Sequence, residues 1–466
     1  MKYSIFGESH GPAIGVVLEG VPAGLELNMA AIEKEMERRR PGKSALSTAR
    51  KEADAPKILS GVFEGKTTGT PLCAVIENGD QHSGDYEKTK DLARPGHADW
   101  PAHVRYEGCN DYRGGGHFSG RLTAPLVFAG AVAKQILAQK GIKIGAHISC
   151  IYGINDAVAE DMDSLLAAAR KEFPVLDDDA GQEMQQAILE AKEEQDSVGG
   201  SIECMVFGLP AGVGSPDFGL NVEGVFSQHL FAVPAVKAVA FGAGTAFSLM
   251  RGSEANDPLY VDEDGTVKAE QNNAGGINGG ITNGMPVVFE VTMRPTPSIA
   301  RTQFTVDMQK MENAELELKG RHDPCVVHRA VPVIEAAAAL ATCQLLGIGY
   351  KRCFLWKNLR TVGIGSMPST DRWLICSSDA WKWWTGSGDT SWIEGFLCLM
   401  PPGSGKCWRP RPLLPVMKGW RPTLPLCLNK SWPSAAAASA SWCRKRVRSR
   451  ATSVARRLWL LQGRPS

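Results

Sequence analysis

A break in composition near residue 350 constrains this chain more than any other feature. From Lys351 onward there are 20 Lys and Arg against 4 Asp and Glu, whereas the residues before it carry 31 basic and 46 acidic side chains. The formal net charge of +1 therefore hides a first part at −15 and a second at +16. The last 116 residues also hold 11 of the 12 Trp, half of the 12 Cys and none of the 9 His. The two parts are read separately, residues 1–350 as a folded domain and 351–466 as a basic tail rich in Trp, Pro and Arg.

The first part has the length and apolar content for a sizeable core. No apolar run reaches the roughly 18 residues of a membrane span, and no charged, apolar and small-residue signal order opens the chain. A cytoplasmic location is expected. The six Cys before residue 350 lack metal-ligand spacing, which fits a reducing compartment.

Strand-like runs (IGVVLEGV, PLCAVIEN, MPVVFEVTM) alternate with helical stretches. The spacing predicts a helix over Met29 to Arg40, with Asn28 as N-cap and Pro41-Gly42 as its stop. A second is expected over about Leu126 to Lys140, with Pro125 in its first turn, and a third, apolar on most faces and so buried, over Ala330 to Leu346. Met162 to Asp196 reads as a charged, helical, solvent-facing excursion. No internal repeat is present.

Between these elements lie loops in which Gly clusters with His, Arg and Asp: GESHG (7–11), RRRPGKS (38–44), RPGHAD (94–99), DYRGGGHFSGR (111–121), NNAGGINGGITNG (272–284), RPTPSIAR (294–301) and GRHDPC (320–325). Glycine lets backbone N–H groups approach a ligand, Arg supplies paired donors to phosphate or carboxylate, and His transfers protons near neutral pH. Each loop alone has a plainer reading. GESHG can be a turn, the glycine run tight turns, RRR a solvated helix end, and RHDP a helix N-terminus capped by Asp323 with Pro324 in its first turn. Seven such loops in one acidic domain point instead to an anionic, phosphorylated ligand handled by acid–base chemistry.

In order and spacing these seven motifs resemble the chorismate synthase family, from Tyr3 to about Gly349. The resemblance implies an α+β fold, helices sandwiched between antiparallel sheets, assembled as a homotetramer. It also implies the trans-1,4 elimination of phosphate from 5-enolpyruvylshikimate 3-phosphate to give chorismate, the last step of the shikimate pathway, with reduced FMN as cofactor. The hydrogen lost from C6 has no adjacent carbonyl to acidify it, so an electron-rich cofactor carries the hard chemistry while the protein binds, orients and manages protons.

Residue by residue, His10 matches the histidine that protonates the departing phosphate, and His97 the one that protonates and steadies the reduced flavin. Asp323 matches the carboxylate that works with flavin N5 to remove the C6 proton. Arg40, Arg50, Arg94, Arg121 and Arg321 resemble the cations around the substrate's phosphate and carboxylates. FMN contacts fall at His117, Phe118, Ser119, Ala235, Gly279, Arg294, Pro295, Thr296, Pro297, Ser298 and Arg321. Arg39 matches a contact for NADPH as reductant. The sequence departs from the family at HFSGRLT, where RSSARET is commonest, at Pro234 in place of Asn, and at Ala45 in place of Arg. His82, His103, His147 and His229 are expected at the surface or in the core.

Two other classes are open to such a sequence. A metal-dependent phosphohydrolase would carry a ligand motif such as HExxH, which the sequence lacks, and no metal is expected. The tail, with basic residues among Trp, could bind nucleic acid or an anionic membrane; neither partner is expected. Its Trp, Arg, Cys and Pro excess also fits DNA read out of frame. Back-translated and shifted by one nucleotide, Ser366 to Gly386 can give IDAIDRQMADLFVGRMEVVDG, which resembles the first helix of a chorismate mutase. LWKNLR (355–360) resembles that family's usual opening in the present frame.

Overall fold

The computed structural model describes residues 1–42, 46–47, 52–79, 86–87, 89–159, 161–318 and 323–349, with two strands further on, Leu374–Ser377 and Ala380–Trp383. The chain divides into two compact units, Met1–Arg352 and Cys353–Ser466. The two later strands pair antiparallel.

Two antiparallel sheets dominate the first unit. The four-stranded sheet comprises β1 (Lys2–Gly7), β2 (Ala13–Glu19), β3 (Lys57–Ser60) and β4 (Leu72–Glu77), in spatial order β1-β2-β4-β3. The five-stranded sheet comprises β5 (Lys143–Ile151), β6 (Ile154–Asn155), β7 (Gly200–Phe207), β8 (Val236–Phe241) and β9 (Val287–Met293), in order β8-β9-β7-β5-β6. Alternation sets their inner faces. In β2, Ile14, Val16 and Leu18 are fully buried, and in β9, Val287, Phe289 and Val291 are too. The register pairs Ile14 with Ile76, and Phe289 with Cys204.

Helices α1 (Met29–Arg39), α3 (Thr123–Ala138), α6 (Val222–Phe231) and α7 (Val327–Leu345) supply apolar side chains to the same core as both sheets. Helix α2 (Asp99–Arg105) is short and follows the RPGHA loop. Asn28 caps α1 as expected, its side chain accepting from Ala31 N at 3.0 Å. The α3–α7 contact is so close that a Cβ on Gly130 would lie 2.2 Å from Ala336 Cβ, so only glycine fits.

The structure corrects several expectations. Helix α3 begins three residues early, at Thr123, and α7 begins at Val327 with Val326 at its N-cap, so Asp323 does not cap it. Instead Asp323 accepts from Arg329 Nη1 at 2.6 Å. The excursion at 162–196 is two helices, α4 (Met162–Ala168) and α5 (Asp178–Glu193), and Leu165, Met184 and Ile188 are fully buried. Its charge density concealed the apolar stripe. The end of α1 is not a solvated cationic turn either, because Arg39 is only 4% exposed.

Candidate active site

The five-residue connection between β1 and β2, Glu8–Pro12, carries His10. Ser9 is fully buried, with its N–H donating to Gly116 O at 3.1 Å and its Oγ 3.0 Å from His10 Nδ1. His10 is 7% exposed and meets the ring of Tyr86 edge-on at 5.1 Å. Asn78, just after β4, ties the loop from behind: its Nδ2 donates to Glu8 O at 3.1 Å and to Gly11 O at 2.8 Å.

The glycine triplet of DYRGGG runs past this loop with positive φ throughout, 59°, 89° and 53° at Gly114, Gly115 and Gly116. These angles favour glycine, and so do the contacts. A Cβ on Gly114 would lie 2.2 Å from His10 Cε1, and one on Gly115 would lie 3.0 Å from His97 Nε2. Neighbouring glycines thus pack against the two histidines singled out in the sequence.

His97 is held by Asp99, whose Oδ1 lies 2.7 Å from Nδ1 of the ring. The same carboxylate accepts from Arg94 Nε and Nη2, both at 2.7 Å. Burial opposes the charge on Asp99, but His97 and Arg94 outweigh it and hold the carboxyl far below its ordinary range. A carboxylate behind a histidine fixes the ring's orientation and tautomer. Arg294 reaches this loop by donating from Nη1 to Gly96 O, and its own N–H donates to Ala235 O at 2.9 Å. Ala235 has a positive φ of 72°.

Around the pair the charge is mixed. Arg113 forks onto Asp111, with Nε and Nη2 each 2.8 Å from a carboxylate oxygen. Glu8 is pushed above the usual carboxylate range, chiefly by burial, and its Oε2 is buried without a partner. His117 and Phe118 are exposed, with His117 Nδ1 3.1 Å from Gly7 O. The side chain of Ser119 accepts from Arg121 N at 3.3 Å. Thr296 Oγ1 is buried and unpartnered, and Ser298 is 7% exposed. Pro295 O accepts from Arg294 Nε at 3.2 Å, and Pro297 is half-buried. Gly279 has a φ of 62° between the short strands Ile277–Asn278 and Ile281–Thr282.

Arg39 and Arg121 are both buried and both pair with Asp54. Arg39 donates to Asp54 Oδ2 at 2.9 Å, Thr123 Oγ1 at 3.1 Å and Gly120 O at 3.0 Å. Arg39 thus ties the end of α1 to Asp54 and to the turn that leads into α3. Arg121, 5% exposed, donates to Asp54, to Asn78 Oδ1 at 3.0 Å and to Glu77 O, so it supports the loops from behind. Arg40 forms the C-cap of α1 and is half-exposed. Arg50 and Arg321 lie outside the described residues, as do Ala45 and His82. Sequence reasoning missed Asp54 and Asn78, which are remote in sequence from the loops they hold. It also left Asp99 without a role, although its position two residues after His97 was a usable signal.

A family model for chorismate synthase matches residues 1–346. The chain belongs to the chorismate synthase family. It is 46% identical over 346 residues to chorismate synthase of Thermococcus kodakarensis, covering 74% of this chain and 96% of that one. The protein of the same name from Pyrococcus abyssi is 47% identical, with the same coverage. A solved crystal structure of chorismate synthase superposes with a TM-score of 0.58 at 29% identity, covering 74% of this chain and 91% of that one. Family membership makes the chain a carbon–oxygen lyase of aromatic amino acid biosynthesis, and its fold is the α+β arrangement expected. Among the described residues no helix is long and apolar enough to cross a membrane.

Proposed function

We propose that this chorismate synthase works through His10, His97 and Asp323, with 5-enolpyruvylshikimate 3-phosphate bound against the glycine triplet. The observation that carries the reading is the packing of Gly114 against His10 and of Gly115 against the His97–Asp99–Arg94 group. His10 gives a proton to the departing phosphate, which leaves more readily as a less charged species. Asp323, paired with Arg329, takes up the C6 proton. Arg40, Arg50, Arg94, Arg121 and Arg321 are the cations this reading sets around the phosphate and carboxylates.

Flavin mononucleotide fits the residues present. The buried, unpartnered Thr296 Oγ1, the Arg294 guanidinium and the exposed faces of His117 and Phe118 are groups such a cofactor would engage, together with Ser119, Ala235, Gly279, Pro295, Pro297 and Ser298. Reduced FMN, when bound, lends electron density as the allylic phosphate departs. His97, its Nδ1 held by Asp99, presents Nε2 toward Gly115 as a proton-holding group. The reading includes NADPH as reductant with a contact near Arg39, a homotetramer and a cytoplasmic location. The basic tail is read as sequence expressed out of frame from a mutase-type gene; resequencing the DNA checks this, since the absence of a mutase-like helix in every frame refutes it.

The test is anaerobic conversion of 5-enolpyruvylshikimate 3-phosphate by the full chain with chemically reduced FMN. Chorismate formation that His10→Ala abolishes while FMN binding survives supports the assignment. Unchanged turnover in His10→Ala removes it.

A further inference from the structure

Asp54 is 2% exposed, and its backbone has a φ of 49°, in the left-handed region that a residue with a Cβ rarely occupies. An outlier of this kind persists only where its surroundings over-determine it, and here the side chain supplies the reason. One carboxylate oxygen accepts from Arg39 and the other from Arg121, two cations from elements far apart in sequence. Neither arginine ends there.

Arg121 Nε donates to Asn78 Oδ1 at 3.0 Å, and Asn78 Nδ2 holds the carbonyls of Glu8 and Gly11, which flank Ser9 and His10. In the other direction, Arg39 O accepts from Arg329 Nε at 3.3 Å, and Arg329 Nη1 donates to Asp323 Oδ2 at 2.6 Å. A continuous polar path thus runs from Asp323 through Arg329, Arg39, Asp54, Arg121 and Asn78 to the His10 loop. Glu52 braces the middle, its Oε2 accepting from Gly79 N at 3.0 Å and lying 3.6 Å from Arg121 Nη2.

From this path we propose that Asp54 is a positioning residue that fixes the His10 loop and Asp323 relative to one another. The proposal rests on the roles given above to His10 and Asp323. Those two groups act at opposite ends of one elimination, on the leaving phosphate and on the C6 hydrogen, so their separation has to match the substrate. A single buried carboxylate bridging two guanidinium groups is suited to that, because it is compact, satisfied on both oxygens and has little freedom to relax. Asn78 is the outlying member of the path and carries no charge, which allows the path to be cut without stranding an ion.

The experiment compares the full chain with Asp54→Asn and Asn78→Ala. It measures kcat and KM anaerobically with reduced FMN, well below each variant's unfolding temperature. Amide hydrogen exchange is followed on the same proteins by mass spectrometry. Both variants are expected to lose kcat on the order of 100-fold, the usual consequence of misplacing reacting groups by about 1 Å, with a smaller change in KM. The double variant is expected to lose no more than the worse single variant, because both cut one path. Exchange should quicken at residues 8–12 in both variants and at 323–329 in Asp54→Asn, and stay unchanged across β5. Unchanged kcat in folded variants, or exchange that quickens only beside the substitution, overturns the proposal. If Asp54→Asn does not fold, Asn78→Ala decides it. If the wild-type chain makes no chorismate, the functional reading fails, and the exchange pattern still tests the coupling.

Discussion

His328 is a histidine that the fold buries and leaves unused. It is 8% exposed, stacks on Phe173 at 6.1 Å, and neither ring nitrogen has a hydrogen-bond partner. Burial, helped by the neighbouring Arg329, pushes its pKa down to about 4. The unfolded chain therefore takes up a proton that the folded one refuses, so this group removes stability as pH falls from about 6.5 toward 4. His328→Leu should stabilise the protein by about 1 kcal/mol at pH 7, since it removes two unsatisfied polar atoms, and by more at pH 5. Thermal unfolding of the two chains at both pH values measures this, and a less stable variant would mean the ring has a partner after all. Asp99 is the opposite case, a side chain with every oxygen in use. Asp99→Asn keeps the shape but loses the charge facing His97 and Arg94, so kcat should fall about 10²- to 10⁴-fold, as when an acid–base group is disabled. Steady-state turnover under anaerobic conditions checks it, and a kcat within the wild-type range would show that His97 needs no carboxylate. Asp99 was nearly legible in the sequence, because its partners lie on the same six-residue loop. Asp54 was not, because nothing local links it to residues 39 and 121.

At the level of elements, the core is organised by an ion cluster as well as by apolar contact. Glu335, midway along α7 and 1% exposed, accepts from Arg38 of α1 at 2.6 and 2.8 Å, from Lys134 of α3, and from the Ala146 N–H of β5 at 3.1 Å. Burial opposes its charge, but Arg38 and Lys134 prevail and hold the pKa down at about 2. Since that lies below the unfolded value near 4.5, the contribution is complete above about pH 4.5 and is lost as pH falls toward 2. His147 of β5 behaves in the opposite sense. It is buried between Asp156 at 2.8 Å and Glu203 at 3.3 Å, and these outweigh burial to raise its pKa to about 9. Its contribution is complete below about 6.5 and is lost as pH rises through 9. Glu335→Gln should cost about 3 kcal/mol, the lower end for a broken buried pair, because Arg38 and Lys134 keep some water contact. Denaturant unfolding at pH 7 tests it, and a loss under about 1 kcal/mol would mean that the cations find other partners. The apolar character of α7 on most of its faces announced its burial, and the apolar runs of β2, β4 and β9 announced the strands. The glutamate inside α7 gave no such notice, for its partners come from three other elements. Charge likewise hid the buried stripe of α5, whose Met184 and Ile188 stand four residues apart among acidic and amide side chains.

For the molecule as a whole, the question is where the working unit stops. The family match ends at residue 346, but the packing continues a little further. Ile348 O accepts from the Met1 amine, and Gly349 lies so close to Gly20 that a Cβ on either would fall 2.7 Å or less from the other's backbone. Residues 347–349 therefore fasten the end of α7 to the start of β1 and the end of β2, and β1 leads directly into the loop carrying His10. A chain ending at Arg352 keeps these contacts and the whole first unit. It should convert 5-enolpyruvylshikimate 3-phosphate with reduced FMN at least as fast as the full chain, and stay in solution at higher concentration, because the residues removed hold 11 of the 12 Trp together with 18 Lys and Arg, a composition that invites association. A chain ending at Leu345 loses the fastening and should unfold several degrees lower. Side-by-side turnover, sedimentation and thermal unfolding of the three lengths decide the matter. If only the full chain is active, the residues beyond 352 take part in the chemistry, and the reading of the tail as a passenger fails.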